Sequence, residues 1–326
     1  MITTETGDIA EGDASVPAGA MSSSAVIVTN PHAGRWGRRL GTATDAVRRH
    51  GLEIREVIDI HELHRVGAWV RRPAAERPII VAAGGDGTVG AVVGCVADSG
   101  AVMGILPLGT SNDVARSLCI PARVSAAARL LVEGKVATVD VGRFDMPGGG
   151  TRFFAHAAAM GVDVEFARLA TQPAIRRRLG HLTYAVAALL AMRRRRPFIS
   201  QIETDGRRRA VRLIHLSVVN APIFGGWLRL ALPGSDLDDR RLDVLMVEDM
   251  PLHRLLAAAV SVVTRRRRLP RGLRLEHTRS LRVHSETPQG VILDGELAGS
   301  LPGDFTLAAE ALRVIVPQRF VDVDDA

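Results

Sequence analysis

An α/β half followed by a mainly β half is the fold class this sequence predicts, and three observations predict it. Apolar strands alternate with helical patterns through residues 25–142. Three of the strand ends run into loops rich in Gly, Asn and Asp. Beyond residue 135, strand follows strand with few helices between.

In the first half, strands are expected at 25–30, 54–57, 79–83 and 102–106, with helices near 38–50, 61–70 and 89–97. The alternation predicts a doubly wound parallel sheet with helices on both faces. In the second half, strands are expected at 136–141, 152–158, 199–204, 211–219, 242–247, 273–276, 281–284, 291–293 and 312–316. Helices near 176–192 and 252–263 interrupt them, which gives an antiparallel β-sandwich with inserted helices. The expected partition is a disordered tail at 1–24, an α/β domain at 25–142, a β domain at 143–317 and a short tail at 318–326. The first tail lacks a basic start and an apolar run, so it does not read as a signal peptide. Met21 is a candidate natural start.

Residues 79–88 carry the strongest chemical signal. A fully apolar strand runs into Gly84-Gly85-Asp86-Gly87-Thr88, and a helical pattern follows. Gly84, Gly85 and Gly87 can take backbone angles that a Cβ would forbid, and they let main-chain N–H groups approach a phosphate closely at the positive end of that helix. Asp86, an acid among anion-attracting amides, makes sense with Mg²⁺ between it and the phosphates. Asp-Gly is also a hairpin pair, but the run before it does not alternate. A second loop, Pro107 through Asp113, offers Thr110 or Ser111 as a helix cap, with Asn112 and Asp113 in the first turn. A third, Asn30-Pro31-His32-Ala33-Gly34, follows the first strand. In a doubly wound sheet these strand ends gather on one edge, where ligands bind.

Composition narrows the options. A chain of 326 residues with 47% hydrophobic and 24% charged side chains can bury a large core and reads as soluble and globular. Lys135 is its only lysine, so a Walker-type Gly-Lys-Ser/Thr loop is ruled out and phosphates must be met by amides, metal and arginine. Cys95 and Cys119 are expected as small core residues in a reducing compartment. No segment approaches the ~20 apolar residues that cross a bilayer.

Together the three loops closely resemble the catalytic domain of the diacylglycerol kinase family of lipid kinases, which includes bacterial soluble enzymes and the sphingosine kinases. The resemblance continues through Val219-Asn220-Ala221-Pro222, Phe224-Gly225-Gly226, Leu237-Asp238-Asp239 and Asp294-Gly295-Glu296, covering nearly everything from 25 to 317. NAD kinases and phosphofructokinases carry similar glycine-aspartate loops, and residues 107–113 with the late Asp-Gly-Glu separate this family from them.

The resemblance implies ATP and Mg²⁺ as cofactors, a lipid alcohol such as diacylglycerol as substrate, and an active site between a nucleotide-binding domain and a lipid-binding domain. It makes Glu296 the general base, although a β-turn with two solvated acids would fit the same residues. Asp86 is assigned to the catalytic Mg²⁺. Gly84, Gly85, Gly87, Thr88 and Thr110 are placed around the nucleotide, Asn30 near its phosphates or ribose, and Asn112 and Asp113 in the loop beside it. A structural Mg²⁺ site is implied at Asp239, with the backbone carbonyls of Asp236 and Arg241. There Arg240 replaces the usual glycine, and a positive φ would be strained. His156 stands where relatives usually have asparagine and reads as a packed residue without a catalytic role.

Charge is uneven: residues 25–145 carry 15 basic and 12 acidic side chains, residues 146–326 carry 27 and 19. Arginines cluster at 176–178, 193–196, 207–209 and 265–268, and two clusters bracket an apolar stretch. That pattern fits peripheral association with an anionic membrane, each well-placed Arg contributing on the order of 1 kcal/mol. With 4% aromatic residues and no recognition motif, nucleic acid is not an expected partner. The expected location is the cytoplasm, at the inner face of the membrane. Two alternatives stay open: a kinase of a soluble substrate, as NAD kinases are, and a non-catalytic lipid-binding regulatory homologue.

Overall fold

The computed structural model describes residues 22–31, 36–162, 193–221, 223–224, 230–231, 241–263 and 270–320. The expected helix at 176–192, the arginines at 176–178 and 265–268, Asp236, Asp239 and both tails' outer residues lie outside these.

The first half builds a parallel sheet in the order β2 (Glu53–Asp59), β1 (Ser24–Thr29), β3 (Ile79–Gly84), β4 (Val102–Pro107). Every residue of β1 and β3 is buried, as expected where both faces are covered. Helix α1 (Trp36–Arg49) packs with α5 (Val124–Glu133), whereas α2 (Val66–Val70) packs with α3 (Asp86–Val96). The short α4 (Asp113–Ser117) follows β4. The segment at 61–70, expected as one helix, begins as a 3₁₀ turn over Ile60–Arg65 that breaks at Glu62 (φ −112°, ψ 26°) before α2.

The second half adds β5 (Lys135–Asp145), β6 (Thr151–Phe154), β7 (Ala157–Gly161), β8 (Phe198–Thr204), β9 (Arg207–Val219), the short pair β10 (Ile223–Phe224) and β11 (Leu230–Ala231), and β12 (Leu242–Glu248). After α6 (Leu252–Val263) come β13 (Leu273–Thr278), β14 (Ser280–Ser285), β15 (Gly290–Leu293), β16 (Glu296–Ser300) and β17 (Gly303–Val316). Apart from the contact between β17 and β4, their pairings are antiparallel.

β17 joins the halves. Its first residues pair with β14, whereas Arg313 and Val314 pair in parallel with β4. β5 runs antiparallel along it throughout, with an irregularity between Ala308 and Leu312. There Glu310 takes φ 54°, and its N–H donates to the buried Asp140 carboxylate at 2.8 Å. One hydrophobic cluster gathers β1, β3, β4 and their helices with Val139, Val314 and Val316; a second centres on Phe144, Phe154 and Phe305, with Phe144 and Phe305 stacked at 4.7 Å, and a smaller one joins Ile214, Met250 and Leu255.

Three departures from expectation have local causes. The strand expected over 152–158 is interrupted at Ala155-His156, because those N–H groups are taken by a carboxylate from another strand. β9 starts at Arg207 rather than at 211, since Asp205 (φ 47°) and Gly206 (φ 79°) form a two-residue turn that lets arginine-rich sequence pair with β8. Cys119 is exposed rather than in the core, on a backbone with φ 57° after α4, and Cys95 is half-buried; both are free.

Candidate active site

Helix α3 begins at Asp86, so only Gly85 separates it from the end of β3 at Gly84. Gly84, Gly85 and Gly87 do not use the left-handed region that glycine opens to them. None has positive φ, and Gly85 sits at the helix N-cap with φ −92°. What glycine provides instead is close approach. A Cβ on Gly109 would lie 2.5 Å from Gly85 Cα, so the loops after β3 and β4 touch backbone to backbone.

The second loop is braced differently from the expectation of a Thr110 or Ser111 cap. Asn112 occupies the N-cap position of α4 in the left-handed region, φ 51°, and its own side chain does not cap the helix. Its amide turns back: Oδ1 accepts from Gly109 N–H and Nδ2 donates to the Gly109 carbonyl, both at 2.9 Å. Thr110 is exposed, Thr88 is buried against Gly84, and Asp113 is buried with Arg116 3.3 Å from its carboxylate. Asp86 links the two loops, since its Oδ1 accepts from the Val114 N–H at 3.1 Å.

Asp294-Gly295-Glu296 is a two-residue hairpin between β15 and β16, with φ 48° at Asp294 and 96° at Gly295. The two acids have opposite environments. Glu296 is exposed and makes no hydrogen bond or ion pair among the described residues. The Asp294 carboxylate accepts the N–H groups of Ala155, His156 and Ala157 at 2.7, 2.9 and 3.0 Å. Burial pushes its carboxyl above the usual range, against the pull of nearby His156 and of those three N–H groups. This keystone role was missed from sequence. The signal available was the apolar run 291–293, which implies that the next side chain can also be internal.

The start of α3 and the β15–β16 turn meet. A Cβ on Gly87 would lie 3.7 Å from the Asp294 carbonyl oxygen, and one on Gly90 would fall 2.5 Å from Asp294 Cβ. Between them opens a cavity of about 550 Å³. Its wall holds Asn30 from the end of β1, Gly87, Gly90 and Gly94 along α3, Arg152 on β6, and Glu296 at the start of β16. Of the residues expected at the site, Asn30, Gly87 and Glu296 therefore share one cavity, and Asp86 sits in the same first turn of α3. Asn112 and Thr110 belong to the adjoining loop but do not line it. Arg241 is exposed, just before β12. No group of three or more His, Cys, Asp or Glu among the described residues is arranged to hold a metal ion.

The site thus lies in a cleft where the strand ends of an α/β half face a β hairpin of the second half. The family model described as the diacylglycerol kinase catalytic domain matches residues 24–144, and the YegS C-terminal NAD kinase beta sandwich-like domain matches 156–316. A diacylglycerol kinase of Mycobacterium tuberculosis (strain ATCC 25618 / H37Rv) is 30% identical over 308 residues, covering 90% of this chain and 94% of the relative. One from Bacillus subtilis (strain 168) is 27% identical, covering 75% and 79%. A crystal structure of a diacylglycerol kinase from Bacillus anthracis str. Sterne superposes with a TM-score of 0.62 at 17% identity, covering 92% of this chain and 98% of the other. The chain belongs to the diacylglycerol kinase family.

Proposed function

We propose that the protein is an ATP- and Mg²⁺-dependent lipid kinase that phosphorylates the hydroxyl of diacylglycerol or a similar lipid alcohol. The single observation that carries this reading is that Glu296, from the far end of the chain, shares a cavity wall with Asn30 and Gly87. Phosphoryl transfer needs little covalent chemistry from the protein, so positioning and charge do most of the work.

In this reading the N-terminus of α3 and the N–H groups beside Gly85 and Gly87 bind the phosphates, with Thr88 and Gly84 packing beneath them and Asn30 beside the ribose or phosphates. The Thr110–Asn112 loop is held against Gly85 and closes that side. Glu296 accepts the proton of the acceptor hydroxyl as its oxygen attacks the γ-phosphorus and the bond to the ADP oxygen breaks. Its exposed carboxylate, without a partner among the described residues, suits a base that must meet an incoming substrate. The residues fit a hard cation shared with phosphates: Asp86 has one oxygen fixed by Val114 N–H, and Mg²⁺ is commonly held by one or two carboxylates plus phosphate oxygens. Bound there, Mg²⁺ would neutralise charge on the phosphates. The expected second ion at Asp239, with Asp236 and Arg241 carbonyls, remains part of the proposal.

Residues 25–142 would supply the nucleotide side and 143–317 the lipid side. Peripheral association with an anionic membrane, from the cytoplasmic side, is supported by an arginine-rich edge. Arg195 donates to the Met250 carbonyl at 3.1 Å, and Arg193, Arg194, Arg196 and Arg254 are all exposed. Two arginines of the 207–209 cluster are instead ion-paired, with Glu203 and Glu276. No helix among the described residues is long and apolar enough to cross a membrane.

The test is radiolabelled ATP with a panel of lipid alcohols in mixed micelles, alongside water-soluble acceptors including NAD. Labelled phosphatidic acid or another lipid phosphomonoester is the expected product. Label only in a soluble acceptor would favour the NAD kinase-like alternative, and nucleotide binding without turnover the regulatory one.

A further inference from the structure

Most strand arginines among the described residues are ion-paired, and Arg152 is not. Arg143, Arg209, Arg274 and Arg282 each close an ion pair with a neighbouring carboxylate. Arg152 has no hydrogen bond or ion pair among the described residues, and it lines the cavity. It lies on the four-residue β6, directly opposite Phe144 of β5. Phe144 is fully buried and stacked on Phe305, so the strand beneath Arg152 is anchored while its head remains exposed.

The charge of the cavity makes this position informative. Asp294 and Glu296 line it, Asp86 lies in the adjoining turn, and a nucleotide tail would add several negative charges. Lys135, the chain's one lysine, does not line the cavity. Apart from His61, Arg152 is the only basic side chain among the described lining residues, and the only permanent cation. A guanidinium presents a planar fork of donors that matches phosphate oxygens and keeps its charge at any physiological pH.

We propose that Arg152 is a substrate-binding residue that contacts the nucleotide phosphates beyond the first, opposite the N-terminus of α3. This deepens the kinase reading above and rests on it. The test is calorimetric binding of Mg·ADP and of AMP to the intact wild-type chain, R152Q and R152K, with thermal unfolding of each as a check on folding. Charged hydrogen bonds to phosphate are strong enough that R152Q is expected to lose roughly ten- to a hundredfold in Mg·ADP affinity. AMP binding and the melting temperature should stay at wild-type values, and R152K should recover part of the loss. Wild-type Mg·ADP affinity in R152Q, or an equal loss for AMP, would overturn the assignment. A wild-type chain that binds no adenine nucleotide would instead overturn the kinase reading beneath it.

Discussion

The Asp294 side chain fills the space that a Cβ on Gly90 would need, lying 2.5 Å from it at its own Cβ, and three backbone N–H groups hold it there. Helix α3 and the β15–β16 hairpin can approach only because position 90 has no side chain.

Gly90→Ala is therefore expected to destabilise the protein by about 1–3 kcal/mol, despite the usual gain of Ala over Gly inside a helix. Gly94, one turn further along, has nothing within 4 Å of its would-be Cβ. Gly94→Ala should stabilise by roughly 0.5–1 kcal/mol. Urea unfolding of the two variants side by side separates packing from propensity, and equal signs would contradict the contact.

Asp294→Asn keeps the shape but replaces one acceptor oxygen with a donor. Either amide orientation sets N–H against N–H, at Ala155 or at His156 and Ala157, so a loss of about 1–3 kcal/mol is expected near neutral pH. Because burial raises the folded-state pKa of Asp294, the wild type loses stability as pH rises from the unfolded Asp value through the folded one. The asparagine variant lacks that slope. Its deficit relative to wild type should shrink as pH rises across that window, and a deficit that grew would reverse the assigned sign.

Glu296→Gln and Asp86→Asn probe chemistry rather than folding. Glu296 is exposed without partners among the described residues, and an asparagine at 86 retains an oxygen for Val114 N–H. Both variants should unfold as the wild type does, with turnover of the lipid acceptor reduced at least ~10²-fold. Full turnover in either would remove that residue from the mechanism.

Arg193→Gln, Arg194→Gln and Arg196→Gln combined should weaken sedimentation with vesicles of phosphatidylcholine and phosphatidylglycerol by on the order of tenfold or more, and flatten its salt dependence. Turnover in uncharged micelles should not change. Unaltered vesicle binding would move the membrane contact elsewhere or dismiss it.

One dipeptide shows what could be read from sequence. Asp-Gly at 86–87 and Asp-Gly at 294–295 follow apolar strands alike, yet the first opens α3 and the second is a tight turn. The helical pattern from Val89 distinguished the first, and the Asp-Gly-Glu resemblance drew attention to the second. Local sequence did not disclose α5, whose start lacks a side-chain cap, or β16, whose residues Glu296, Leu297, Ala298, Gly299 and Ser300 carry little strand propensity and are ordered by pairing with β15.

Sequence alone determined the alternating first half, the strand-rich second half and the residue types at the strand ends, because buried strands and helix starts have compositions that neighbours in the chain impose. Tertiary structure decided which acid is held by backbone N–H groups and which has no partner among the described residues, and that Arg152 and Glu296 share a cavity with Asn30. Those facts depend on contacts between segments more than a hundred residues apart, such as Asp294 with Ala155, and no local pattern encodes a partner at that distance.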